Sequence, residues 1–175
     1  MRLEGMDVDW LVFSVHWLHV LAAITWFGAV IYTDFILIPG LMTLPAGEQR
    51  SAGSAIGKQA FRVIMGAATA VIILGILRGT VFGPIRSVDA LTTAYGLTWL
   101  LALVVTLVTY WWGLKVIGGA LERFNAFPLE EATLADGSTN PALAVLVNDV
   151  KRKTMLELVF FFVIFTCMIL MRFGL

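Results

Sequence analysis

Charged positions along the chain are bunched into short stretches that separate four long apolar runs. Trp10 to Thr33 and Ala90 to Leu114 hold no Asp, Glu, Lys or Arg, while Val63 to Phe82 is interrupted only by Arg78 near its end and Thr154 to Met171 only by Glu157 near its start. At about 1.5 Å of helical rise per residue, each run suffices to cross about 30 Å of hydrocarbon. Arg78 and Glu157 stand where a long side chain reaches an interface. The pattern predicts helices over about 10–34, 62–82, 90–114 and 141–172. The last extends beyond its apolar run because Asn140 and Pro141 form an N-cap and first-turn pair ahead of "ALAVLVNDVKRK". The expected fold is all-α: an integral membrane, antiparallel four-helix bundle, one transmembrane domain over residues 1–175.

Composition gives the same answer. With 59% hydrophobic and 14% charged residues, the chain is well outside the range of soluble domains, so its expected partner is the lipid bilayer. The N-terminus "MRLEGMDVDW" is acidic, and the first apolar run lacks a small-residue cleavage site, so helix 1 is expected to be retained rather than removed as a signal peptide. With the N-terminus outside, the inner side holds Arg50, Lys58, Arg62, Lys115, Arg123, Lys151, Arg152 and Lys153. The outer side holds Arg2, Arg78, Arg86 and Arg172. This asymmetry predicts a multi-pass protein of the cytoplasmic (inner) membrane with both termini outside.

The connections differ in character. "PGLMTLPAGEQRSAGSAIGKQA" predicts a short helix along the inner surface, "RGTVFGPIRSVD" a tight turn, and the longest connection runs from about Lys115 to Asn140. Trp10 and Trp17 toward one end, and Tyr110, Trp111 and Trp112 toward the other, read as interfacial belts. Gly75 and Gly79, four apart in "GILRG", permit close helix contact.

At 100° per residue, His16, His19, Ala23, Trp26, Val30 and Asp34 share one face of helix 1. The matching polar stripe is Lys153, Glu157, Phe160, Ile164, Cys167, Met168 and Met171 on helix 4, and Arg62, Met65, Thr69, Ile76 and Thr80 on helix 2. Ionisable groups are costly against lipid, so these stripes are expected to face inward. Near the outer face the topology then gathers His16, His19, Met168 and Met171. Near the inner face it gathers Asp34, Arg62, Lys153 and Glu157, an expected ion-pair network in which Glu157 pairs with Arg62 or Lys153.

Imidazole suits haem iron or copper, and thioether suits copper(I) or the sixth position of haem. Residues three apart on one helix cannot reach opposite faces of a porphyrin, so haem ligation would need His with Met, His with an open position, or a second subunit's His. The single cysteine, Cys167, excludes an intramolecular disulfide and any CxxC motif. No Walker A loop, GxSxG, HExxH or zinc spacing is present, which argues against hydrolase and nucleotide chemistry. Nucleic acid is not an expected partner.

"HVLAAITWFGAVIY", with His19 seven residues before Trp26 and Gly28 just after, resembles the first helix of a superfamily of small bacterial four-helix membrane proteins. That superfamily includes the copper-resistance protein D domain and the haem-binding, oxygen-independent protoporphyrinogen oxidase. "KTMLE", with Lys153 and Glu157 four apart, is similar to the start of the last helix in the haem branch; Arg62 followed by "GILRG" resembles the copper branch. The resemblance implies haem b, or alternatively copper, with His19 as principal ligand, His16 as a secondary ligand or partner, and Trp26 as a wall of the pocket. It does not extend to protoporphyrinogen oxidation itself, because Asp34 and Phe35, and the stretch around Trp99, replace basic residues of the oxidase branch. The functions expected, in order, are a redox or haem protein, a copper-handling protein, and an accessory subunit that docks a membrane partner or a second copy of itself.

Overall fold

The computed structural model describes residues 9–134 and 140–174. The N-terminal segment with Arg2, and the tip of the third connection around Asp136, lie outside the described residues. Four long helices carry the fold: α1 (Trp10–Leu41), α2 (Ala46–Gly79), α3 (Ala94–Ala126) and α4 (Pro141–Arg172). Each contains a stretch long and apolar enough to cross a membrane. Single-turn 3₁₀ segments at Asp89–Thr92 and Leu129–Glu131 lie in the connections, and no strand occurs among the described residues.

Three helices start on a side-chain cap. Asp9 accepts from the backbone N–H groups of Leu11 and Val12 at 3.0 and 3.1 Å, Thr93 from Gly96 at 3.1 Å, and Asn140 from Ala142 at 2.9 Å. Each bond satisfies a donor that the first helical turn leaves free. Asn140 also donates through Nδ2 to the Glu131 carbonyl at 2.8 Å, tying the start of α4 to the connection before it.

Three boundaries differ from those the apolar runs imply. The first connection does not form a separate surface helix; its residues are the first turns of α2, because "AGEQRSAGSAIGKQA" holds good helix formers and no proline after Pro45. α1 continues past Asp34 to Leu41, and α3 past Leu114 to Ala126, each through a π-helical turn, at Thr33–Leu37 and Trp112–Ile117. In α1 the cause is Pro39: its ring would press on the carbonyl four residues back, and the wider turn, with the Ile38 N–H donating to the Thr33 carbonyl, relieves it.

All four helices contribute to one core. Trp26 and Val30 from α1, Ala68 and Val71 from α2, and Phe161 and Ile164 from α4 are buried together, with Val105 and Tyr110 of α3 packed against them. Trp26 meets Phe161 edge to face at 4.9 Å between ring centroids, and Phe27 meets Phe165 in the same manner at 4.8 Å. Trp112, expected in an interfacial belt, also ties helices together: its indole donates to the Lys153 carbonyl at 3.1 Å and stands edge-on to Phe160.

The buried face of α2 is not the polar stripe. Ala68, Val71 and Gly79 are buried while Arg62, Thr69 and Ile76 are exposed. Thr69 and Thr80 satisfy their own hydroxyls by donating to the carbonyls of Met65 and Ile76, at 2.8 and 2.7 Å. A threonine that bonds back to its own helix does not require a polar neighbour, so small residues were free to take the inward face.

Adjacent phenylalanines test this packing. Phe161 is 2% exposed and Phe162 is 72% exposed. Phe161→Ala is expected to destabilise the folded protein by about 3 kcal/mol or more in detergent unfolding, and Phe162→Ala by a small fraction of that. Equal effects would disprove this rotation of α4.

Candidate functional site

A cavity of about 340 Å³ opens among the four helices near the start of α1 and the end of α4. His16 and His19 enter it from α1, Gly75 and Arg78 from α2, Tyr95 and Trp99 from α3, and Met168, Met171 and Arg172 from α4. The two histidines and two methionines expected to cluster do line one cavity. Its remaining wall is largely apolar, with Val71, Ile72, Ala102, Leu103 and Ile164. A second hollow, of about 240 Å³ between α1 and α2, offers only Tyr32, Thr33 and Gln59 as polar groups and no imidazole, thioether or carboxylate.

The two histidines are not equivalent. His16 is exposed, and His19 is half-buried against α2, where its ring lies beside the Val71 carbonyl. The Nδ1 atom of His19 is buried with no hydrogen-bond partner. A buried polar atom without a partner is costly, and such atoms are rare in folded interiors. Arg78 presents a second such atom: its Nε is buried without a partner, while NH1 donates to the Phe82 carbonyl at 3.1 Å. His19 and Arg78 thus line the same largely apolar space.

Gly75 and Gly79 shape that space. A Cβ on Gly75 would stand 3.1 Å from Cε1 of His19, and a Cβ on Gly79 would collide with the indole of Trp99. Trp99 Nε1 donates to the Gly75 carbonyl at 3.4 Å. The glycine pair, read from sequence as a helix-contact motif, therefore seats two rings from different helices, His19 on one glycine and Trp99 on the other. Sequence reasoning missed Trp99, Tyr95 and Arg172 as cavity residues. The signal for Trp99 was present in the glycines four apart, but spacing does not say which ring fills the notch.

Two residues of the inward stripes, one of them the expected pocket wall Trp26, lie elsewhere. Trp26 does not line the cavity; it is 2% exposed in the aromatic core, and its Nε1 is buried without a partner. Cys167 is buried and free, and it too is outside the cavity lining. The expected inner ion-pair network also takes a different form. Lys153 pairs with Asp149 one turn earlier, and Arg123 reaches the same carboxylate at 3.3 Å. Arg62 is exposed, and no Lys or Arg among the described residues pairs with Glu157. The cause is register: Asp149 is four residues before Lys153 on the exposed face of α4, in a favourable orientation for an ion pair, whereas Glu157 turns inward.

Among the described residues no three His, Cys, Asp or Glu side chains group as a metal site. The cavity's donor set is imidazole and thioether instead. Compared with protein-family models, curated proteins and solved structures, the chain gives no match.

The glycine seat is open to a direct check. Gly79→Ala is expected to push the Trp99 indole out of its notch, break the bond to the Gly75 carbonyl and cost about 1–3 kcal/mol. The measurement is the difference in tryptophan emission between Gly79→Ala and the parent, which should vanish in a Trp99→Phe background. An unchanged spectrum and melting temperature would show that the notch is slack.

Proposed function

We propose that this chain is a multi-pass haem b protein of the bacterial inner membrane, an antiparallel four-helix bundle with a one-electron redox role. In this reading it belongs with the superfamily of the copper-resistance protein D domain and the haem-binding protoporphyrinogen oxidase. The observation that carries the reading is one largely apolar cavity lined by His16 and His19 of α1, Arg78 of α2, and Met168, Met171 and Arg172 of α4.

The residues fit haem better than they fit a bare metal ion. His19 of α1, the more buried of the two histidines, would hold the iron, with Met168 or Met171 of α4 as a further donor lining the same cavity. Arg78 and Arg172 would take the two carboxylates that such a macrocycle carries. A lone copper ion would gain nothing from two guanidiniums beside it and would be repelled by them. The cavity volume lies within the range of small-molecule sites, and much of its wall is apolar. Haem, when bound, supplies reversible one-electron exchange at its iron. Trp99, seated on Gly79 with its indole donating to the Gly75 carbonyl, braces the side of the cavity facing α3.

Membrane insertion is supported by the four apolar helices and by the large apolar side chains that face outward, Ile24 and Phe162 among them. α2 and α4, at 34 and 32 residues, each span about 50 Å, more than a bilayer core, so their polar first halves project on the inner side. Lys58, Lys151 and Arg152 lie on those projecting turns, and both termini are then outside.

A second reading has one observation in its favour. Two imidazoles with two thioethers are a donor set suited to copper(I), so copper handling remains the alternative.

Purification from a haem-replete host separates the two. The haem reading expects a Soret band that His19→Ala abolishes, His16→Ala weakens or shifts, and Arg78→Leu reduces through lost haem retention. A colourless protein that binds copper(I), with His16→Ala, His19→Ala and Met168→Leu lowering affinity comparably, would replace haem by copper. For the orientation, a cysteine introduced at Asp136 in a Cys167→Ser background is expected to be labelled only from the cytoplasmic side. Labelling from outside would invert the topology.

A further inference from the structure

A second polar site lies away from the histidine cavity. Asp34 is fifteen residues from His19 along α1 and Glu157 eleven from Met168 along α4, roughly 22 and 16 Å of helix respectively. Glu157 is 5% exposed, and no hydrogen bond or ion pair from the described residues reaches its carboxyl. Its Oε1 stands 3.3 Å from the position a Cβ would take on Gly113, with Cε of Met65 3.7 Å from the same point. The charged group acting on it is Asp34, another carboxylate. Asp34 lies beside the Thr154 hydroxyl, but its Oδ2 is buried with no partner.

The backbone brings these groups together through its two irregular turns. Asp34 belongs to the π-helical turn of α1 and Gly113 to that of α3, and turns of this kind recur where a helix re-aims a functional group. The neighbouring cations are engaged or turned away: Lys153 of α4 is on Asp149, while Arg62 of α2 and Lys115 of α3 are exposed, and none of them acts on Glu157. Two negative carboxylates at this level, Glu157 on α4 and Asp34 beside Thr154 one turn before it, would repel with no paired cation among the described residues to offset them.

We propose that Asp34 and Glu157 together form a proton-binding site that takes up one exchangeable proton. Loading transfers a proton from hydronium to a carboxylate oxygen, forming one O–H bond and releasing water, and lowers the charge of the pair from −2 to −1. Unloading reverses the step. A divalent metal is a poorer occupant, because it asks for six or more oxygen ligands and the pair supplies two carboxylates and one hydroxyl. The titration belongs to the pair rather than to either residue. The proposal does not depend on what the histidine cavity binds.

Infrared spectroscopy of the full-length protein in bilayers tests it. The wild type should show a protonated-carboxyl C=O band that shifts in D₂O and disappears at alkaline pH. Glu157→Gln should lose the band, and Asp34→Asn should move both its frequency and its pH midpoint. Asp149→Asn, which removes a surface ion pair, should leave it in place. Should Glu157→Gln fail to fold, the response of the band to Asp34→Asn decides the question by itself. A wild type without the band at any pH, or a band unaltered in both variants, overturns the proposal. So does a melting temperature that rises with sodium concentration in the wild type and not in Glu157→Gln, since that would make the occupant a metal cation.

Discussion

The rest of the molecule hangs on the contact between Trp26 and Phe161. It joins α1 to α4 over a floor of Ala68 and Val71 from α2, and it fixes how far each helix is rotated about its axis. Once Trp26 faces inward, His19, two turns earlier, must border the same interior, and Asp34, about two turns later, must approach it from the other side. Phe161 does the same for α4, placing Glu157 one turn before it and Met168 two turns after. An aromatic plug thus separates two polar sites, each with residues from both α1 and α4. A loss of packing at the plug would disturb both.

Glycine decides what the helices can hold against one another. Gly75 and Gly79 receive rings, and Gly113 lies under a carboxylate oxygen. In each case the missing side chain leaves a notch about one methyl group deep, and the partner that fills it comes from a different helix. Close packing of this kind is where a chain with few ionisable groups obtains specificity, since apolar surfaces alone do not distinguish one rotation from another.

The polar atoms left without partners are the most informative part of the structure. His19 Nδ1, Arg78 Nε and Asp34 Oδ2 are buried in an interior that otherwise satisfies its hydroxyls by bonds back to the helix, as at Thr106 and Thr109. Such atoms are rare in folded proteins because each one costs free energy. The three divide between the two polar sites, two at the cavity and one at the carboxylate pair. Trp26 Nε1 is the fourth, and it sits in the aromatic core between them.

The four long helices, the cap at Asn140 and the inward face of α1 were legible in the sequence, because each depends on a local pattern: an apolar run, a capping pair, a helical period. The gathering of His16, His19, Met168 and Met171 could also be anticipated, from helix order and depth together. What the sequence left undecided depends on which surface meets which. Arg62, Thr69 and Ile76 of the α2 stripe face outward, since a threonine bonded to its own backbone needs no polar neighbour, and the small-residue face was free to pack instead. Glu157 lacks the expected cation because Asp149, one turn before Lys153 on the exposed face, took it. Trp99 joins the cavity because Gly79 alone leaves room for its ring. Periodicity assigns residues to faces, but only the packed helices determine which faces touch, since that choice rests on the fit of volumes between segments far apart in the chain.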